Sequence, residues 1–492
     1  MPDSAERSAR GAVLDQDFKM LIGGALVDAD DGTRLETSDP ATGKSLAEVP
    51  NASPGDVDRA VAAAKSAQPA WRDMPLGARQ ERLRAVATAL GDQAESLGLL
   101  DTLDTGNVQS AMRTDAVGAA GALEYFIGVA NEIKGEVTQL DNNLHYTRRQ
   151  PFGVVARLLP FNHPIQSFGT ALGPPLLTGN CLILKPSPHT PLSALAFAKT
   201  LRDVLPPGVV NVVTGDNDRV ARPLMAHPDV PRVTLTGSTE AGRIALQLAA
   251  EHLKTVTLEL GGKTPMIVFP DADVGFAADV ACAGMNFKWQ GQSCASTSRV
   301  LVHGSLREKL VAELVERFRA VNVALPTDPA ADMGAISHQA QYDKILEYLS
   351  IGQSEGATLM TGGERPGDPA LRDGLFVTPA VFSGVEAHMR IAKEEIYGPV
   401  ISVLAWDDYD QMLTIANDVI YGLAAVIVTD DLNLAHRTAE ALDVGYVEIN
   451  GPVSFAVGSP FGGTKKSGIG RDGNIEELLS YTWTKSVNVK LR

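Results

Sequence analysis

Hydrophobic and polar positions along this chain follow two periods, and the change between them divides it. From 54 to 133 the spacing is helical. Residues 54–68 predict an amphipathic helix: Pro54 suits its first turn, Val57, Val61 and Ala64 share a side, and Pro69 is expected to stop it before Trp71. Helices are also expected at 78–102 and 111–133, the latter small on its surface at Ala116, Gly118, Ala119, Ala120, Gly121 and Ala122. From 151, short apolar runs alternate with helical stretches. Strands are expected at 153–160, 181–186, 209–213 and 233–236, with helices at 165–178 and 191–205. That alternation predicts βαβ units and a mostly parallel sheet, whose ligands sit at the carboxyl ends of strands. Lys185 and Gly237-Ser238 fall at or just past such ends. A second α/β unit begins near 263. Its strands are expected at 266–269, 299–302, 400–405, 423–428 and 447–450, and its helices at 274–288, 306–319 and 431–441. The alternating segment 480–490 reads as a strand that returns to another domain or reaches a partner chain.

Composition narrows the class. The chain has 492 residues, 44% hydrophobic and 21% charged, which suits a soluble α/β protein of two or three domains. No apolar run reaches the roughly 18 residues of a membrane span. The first 17 residues mix acids and bases without an apolar centre, so they read as a short flexible tail, not a targeting signal. A formal charge of -16 disfavours a nucleic-acid partner while leaving room for a local basic pocket. Three widely spaced cysteines without a CxxC pair point to a reducing cytoplasm, and nine histidines without HExxH give no metal site.

Candidate chemistry starts at Cys294, which follows Gln290-Gly291-Gln292-Ser293. Small polar neighbours and backbone N–H groups can support a thiolate, but a semi-buried structural cysteine fits the same residues. Cys181, in CLIL, and Cys282, in VACAG, read as core. Glu259 closes an apolar strand before two glycines. A buried carboxylate there is costly; a general base with a raised pKa explains it, and a solvated strand end avoids it. Asn162 follows another strand, where its amide can donate to an oxyanion or cap the next helix. His163 is a candidate base or a pocket-lining ring. LTGSTEAG at 235–242 is strand, turn and helix start, whose backbone N–H groups can hold a pyrophosphate although it is not GxGxxG. Lys185 can meet a ribose hydroxyl or phosphate, or face solvent.

Together these segments resemble the aldehyde dehydrogenase superfamily from about residue 20 to the C-terminus. The resemblance is carried by PFNHP at 160–164, LKPSP at 184–188, LTGSTEAG at 235–242, LELGGK at 258–263, GQSC at 291–294, EEIYGPV at 394–400 and SPFGGTKKSGIGR at 459–471. The members it resembles are NAD(P)-dependent, non-CoA-acylating and of the betaine-aldehyde and aromatic-aldehyde kind. The resemblance implies Cys294 as nucleophile, Glu259 as general base, and Asn162 with the Cys294 backbone N–H as oxyanion hole. It implies a cofactor site of Lys185, Ser187, Gly237, Ser238, Glu395, Tyr397 (where many members have Phe), Pro160 and Phe161. It implies substrate-pocket walls at Gly118, His163, Gln166, Thr170, Ser293, Phe455 and Phe461. The implied fold has an atypical Rossmann-like cofactor domain (18–133 and 150–262) and an α/β catalytic domain (263–472). Bridging or oligomerisation elements (134–149 and 473–492) complete a cytoplasmic homodimer or homotetramer.

Two positions depart from the family pattern. Pro188 stands where many members have a glutamate that receives the adenosine ribose hydroxyls. Proline has no side-chain acceptor and no negative charge to repel a 2′-phosphate, so NAD is expected with NADP admitted. His163 stands where an aromatic is common, and Gly118 leaves room on the tunnel helix, which implies a larger aromatic or polar aldehyde. The rival readings are a CoA-acylating aldehyde dehydrogenase and a catalytically silent binding or structural protein on the same fold.

Overall fold

The computed structural model describes residues 4–140 and 142–490. Residues 1–3 of the expected tail, residue 141 of the expected bridging segment and residues 491–492 of the final one lie outside that range.

The βαβ alternation gives two sheets. In the first, five parallel strands run in the order Val210–Val212, Cys181–Lys185, Val154–Leu158, Arg232–Thr236 and Thr255–Glu259. Antiparallel edges come from the N-terminal strands Met20–Ile22 and Ala25–Val27 on one side and Gly468–Ile469 on the other. Strand order reverses at Val154–Leu158: the next two strands lie to one side, the following two to the other. Open α/β sheets bind ligands at such a switch point. The second sheet has seven strands, ordered Thr358–Thr361, Ala380–Ser383, Val400–Trp406, Arg299–His303, Pro265–Val268, Ala424–Val428 and Tyr446–Ile449. It is parallel except at its first pair. A third sheet pairs Thr482–Lys490 with Asn143–Pro151 over nine residues, and Asn143–Pro151 with Val137–Leu140. The final strand thus joins the expected bridging segment, and among the described residues its other edge is unpaired. Among the described residues no helix is long and apolar enough to cross a membrane.

Several sequence boundaries move. The tail 1–17 is helical over Ser4–Leu14, with Arg10 ion-paired to buried Asp39. The helix expected to stop at Pro69 runs Pro54–Asp73. A proline there forfeits one intrahelical bond. Burying Trp71, whose Nε1–H donates to the Leu176 carbonyl at 3.0 Å, outweighs that loss. The single helix expected over 78–102 breaks at Gln93 into Leu76–Asp92 and Ala94–Thr105. That over 165–178 splits into Pro164–Thr170 and Gly173–Leu177, because Pro174 and Pro175 fit only a first turn. That over 274–288 ends at Gly284, since Asn286 turns left-handed at φ 55°.

Candidate active site

Strand ends and loops meet in a cavity of about 600 Å³ at the switch point. Its wall includes all eight residues expected on the cofactor side, namely Pro160, Phe161, Lys185, Ser187, Gly237, Ser238, Glu395 and Tyr397. The same wall includes Asn162, Glu259 and Cys294. The seven residues expected around the substrate lie off that wall.

Cys294 arrives on a loop bent by Gln290 (φ 53°) and Gly291 (φ 70°). A side chain at Gly291 would overlap the Gly398 carbonyl, and one at Gly262 would overlap the Cys294 carbonyl. Glycine therefore lets the GQSC, LGGK and YGPV segments touch. Burial pushes the Cys294 thiol up to about 12, with Glu395 and Glu259 adding to the rise. The other thiols differ in setting: Cys181 is buried on strand Cys181–Lys185, and Cys282 is half-buried on helix Val274–Gly284.

Glu259 ends its strand only 8% exposed, and among the described residues neither carboxylate oxygen has a hydrogen-bond partner. It is not a solvated strand end. Burial raises its pKa well above the ordinary carboxylate range, and Asp472 and Glu477 push the same way. Behind it, buried Arg157 donates to Glu477 at 2.7 Å and to Asp472 at 3.2 Å. Asn162 does not cap the next helix, whose N-cap is His163. Its amide donates to the Gln292 carbonyl at 2.9 Å, two residues from Cys294, while its own carbonyl accepts from Asn107. The oxyanion candidate is thereby tied to the loop that carries the thiol.

Lys185 is 3% exposed, so it is not a solvent-facing strand end either. Among the described residues its ammonium donates only to the Pro186 carbonyl, at 3.2 Å, and burial lowers its pKa to about 8. Ser187 accepts from the His189 N–H, and Ser238 caps helix Thr239–Ala250 by accepting from the Ala241 N–H. Glu395 accepts from the Gly262 N–H at 2.9 Å. Tyr397 holds φ 61°, a strained value for a tyrosine. Gln341 stabilises that turn by donating to the Ile396 and Tyr397 carbonyls, each at 2.8 Å.

On the other side of Asn162, His163 Nδ1 lies 2.8 Å from Asp115 and its ring 5.0 Å from that of Trp289. Gln166 approaches Gly118, within 3.6 Å of where a Cβ would stand. Phe461 packs on Phe455, itself 58% exposed, and on Tyr446. Ser293 is buried beside the thiol, and the Thr170 hydroxyl donates to the Ser167 carbonyl of its own helix. Sequence reasoning missed Gln341 and Lys344, which line the cavity from an unanticipated helix, Gln339–Ser354, and His338, which lines it from that helix's N-cap. It also missed Arg222 on the wall and Asp115 beneath His163. The signal for Asp115 was an acid one turn before the small-residue run that begins at Gly118.

The residues present fit a dinucleotide. An almost unpartnered buried ammonium, a helix N-terminus at Ser238 and an apolar flank of Ala221, Met225, Ala241 and Ile244 share one wall. A cysteine and a buried carboxylate share that wall too, an arrangement able to support thiol chemistry, and together these features fit one class: an enzyme on a two-sheet dinucleotide fold. Comparison with known proteins makes the class specific. The sequence profile of the aldehyde dehydrogenase family matches residues 26–487. Aldehyde dehydrogenase tropH of Talaromyces stipitatus is 41% identical over 467 residues, covering 93% of this chain and 90% of that protein. The structure of Staphylococcus aureus betaine aldehyde dehydrogenase in complex with NAD+ superposes with a TM-score of 0.96 at 31% identity, covering 99% of this chain and 97% of that one. A putative aldehyde dehydrogenase from Burkholderia cenocepacia gives 0.94 at 37% identity, covering 96% and 97%. The chain belongs to the aldehyde dehydrogenase family, enzymes that oxidise aldehydes with NAD(P).

Proposed function

We propose that Cys294 is the nucleophile, Asn162 the oxyanion donor and Glu259 the general base of this oxidation. The observation that carries the reading is the meeting of these three side chains on one cavity, with both Glu259 oxygens unpartnered. The Cys294 sulfur adds to the aldehyde carbonyl after its proton passes to a base. The Asn162 amide and the Cys294 backbone N–H then stabilise the alkoxide that forms. When bound, NAD(P) supplies the hydride acceptor that turns this thiohemiacetal into a thioester. Glu259 takes a proton from water, which attacks the thioester and releases the carboxylic acid and the thiol. Its raised pKa suits a base working near neutral pH. Glu259 on the wall favours water over coenzyme A as the acyl acceptor.

Lys185, the Ser238 turn, Glu395 and Tyr397 hold the cofactor in this reading. NAD is the expected form, in keeping with the NAD+ complex of the Staphylococcus aureus relative. Pro188 puts no carboxylate on the wall at its position, and Arg222 lines the same cavity, which supports admission of NADP. The aldehyde is a larger aromatic or polar one, supported by the rings of Trp289, Phe461 and Phe455 and the polar Gln166 and His163. The unpaired edge of Thr482–Lys490, with Trp483 and Val489 exposed, supports a homodimer or homotetramer.

The test of the catalytic reading is Glu259→Gln exposed to aldehyde and cofactor, then analysed by intact mass. An acyl adduct on Cys294 that persists in the variant and turns over in the wild type is expected. Equal, rapid turnover in both would remove Glu259 from the reaction.

A further inference from the structure

Asp115, His163 and Trp289 form a group that the proposed chemical steps do not use. Asp115 is buried on helix Gln109–Val129, one turn before Gly118. Its Oδ2 lies 2.8 Å from His163 Nδ1 and accepts from Trp289 Nε1–H at 3.3 Å. An indole N–H only donates and a carboxylate only accepts, so the hydrogen shared with His163 sits on Nδ1. In the neutral imidazole Nε2 is then a lone-pair acceptor. That nitrogen makes no hydrogen bond among the described residues, and the side chain is 22% exposed.

Position gives this acceptor a use. His163 directly follows Asn162, and Trp289 lies five residues before Cys294. His163 is off the wall of the dinucleotide cavity although Asn162 is on it, so its acceptor is not spent on the cofactor side. The Trp289 ring lies 5.0 Å away and tilted by 40°, an aromatic surface beside the acceptor. We propose that His163 Nε2, its tautomer fixed by Asp115, accepts a hydrogen bond from a substrate hydroxyl, and that the preferred substrates are aromatic aldehydes bearing a ring hydroxyl. The substrate ring packs on Trp289, and Asp115 acts as a positioning residue through His163. The inference rests on the Cys294 aldehyde-oxidation reading.

A pocket built to bond a hydroxyl rejects analogues lacking it strongly when its polar group is fully buried. His163 keeps some water access, so a preference of about ten- to a hundredfold is expected. The experiment compares kcat/KM for 3- and 4-hydroxybenzaldehyde, their methoxy counterparts and benzaldehyde, in wild type, His163→Phe and Asp115→Asn. A hydroxyl preference in the wild type, lost in His163→Phe mainly through KM, is expected. Asp115→Asn keeps a carbonyl acceptor for both Trp289 Nε1–H and His163 Nδ1–H but removes the charge, so the hydroxyl preference should persist in a weaker form. A readout without turnover is the binding of 4-hydroxybenzoate against 4-methoxybenzoate to Cys294→Ala, with and without His163→Phe, followed by tryptophan fluorescence. Equal binding of the two acids with no wild-type hydroxyl preference would overturn the His163 role. Hydroxyl discrimination in binding without Cys294-dependent oxidation would leave that role standing and overturn the catalytic reading instead.

Discussion

The resting thiol of Cys294 should be slow. Burial and two nearby carboxylates hold it near a pKa of about 12. At about pH 7.5 such a thiol is ionised to about 3 parts in 10⁵, against roughly one part in ten for an unperturbed cysteine near 8.5. The thiolate deficit is therefore about 3,000-fold. A more basic thiolate is also the better nucleophile: a Brønsted slope of about 0.4–0.5 over about 3.5 units restores roughly 25- to 60-fold. The net expectation is exchange with an aromatic disulfide about 50- to 100-fold slower than that of a free cysteine at that pH. The assay is release of the aromatic thiolate, wild type minus Cys294→Ala, from pH 6 to about pH 10. The rate should climb about tenfold per pH unit without a plateau. Glu395→Gln, which removes the larger of the two carboxylate effects, should speed exchange. A plateau near neutrality would mean a stabilised thiolate and refute the reasoning. The thiol is held as S–H until a base takes its proton.

Asn162→Ala should lower kcat by about 10²- to 10³-fold, the loss of one oxyanion donor, with steady-state kinetics as the check. Wild-type turnover should fall on the acid side as Glu259 gains its proton. Its folded pKa is raised, so this limb should lie well above the ordinary carboxylate range in a pH–rate profile and move when Asp472→Asn removes a like charge. Arg157→Met should cost about 3–5 kcal/mol in urea unfolding, because it leaves buried Glu477 and its neighbour Asp472 unpaired; a change under about 1 kcal/mol would mean the pair is not structurally required.

Much of the site could be read from the sequence because its parts are local. Lys185, Glu259 and Asn162 each stand at or just past the end of a short apolar run, and strand ends are where parallel sheets place ligands. Other features depend on partners far along the chain. Arg157 interrupts an otherwise apolar strand, and its meaning is Glu477, 320 residues away. His163 gains a fixed tautomer only from Asp115, 48 residues earlier, on a helix that its small residues marked as a packing surface. Pro69 misled for the same reason: local propensity ends the helix, while burial of Trp71 against Leu176 continues it. Gln341 and Lys344 were missed because helix Gln339–Ser354 has only a modest apolar stripe and no motif of its own.

The most direct measurement is the rise of reduced-nicotinamide absorbance over a panel of aromatic and polar aldehydes, with NAD and NADP run separately, in wild type and Cys294→Ala. The account predicts reduction that depends on Cys294, proceeds with NAD and extends to NADP. No reduction with either cofactor, or equal reduction without Cys294, would contradict it.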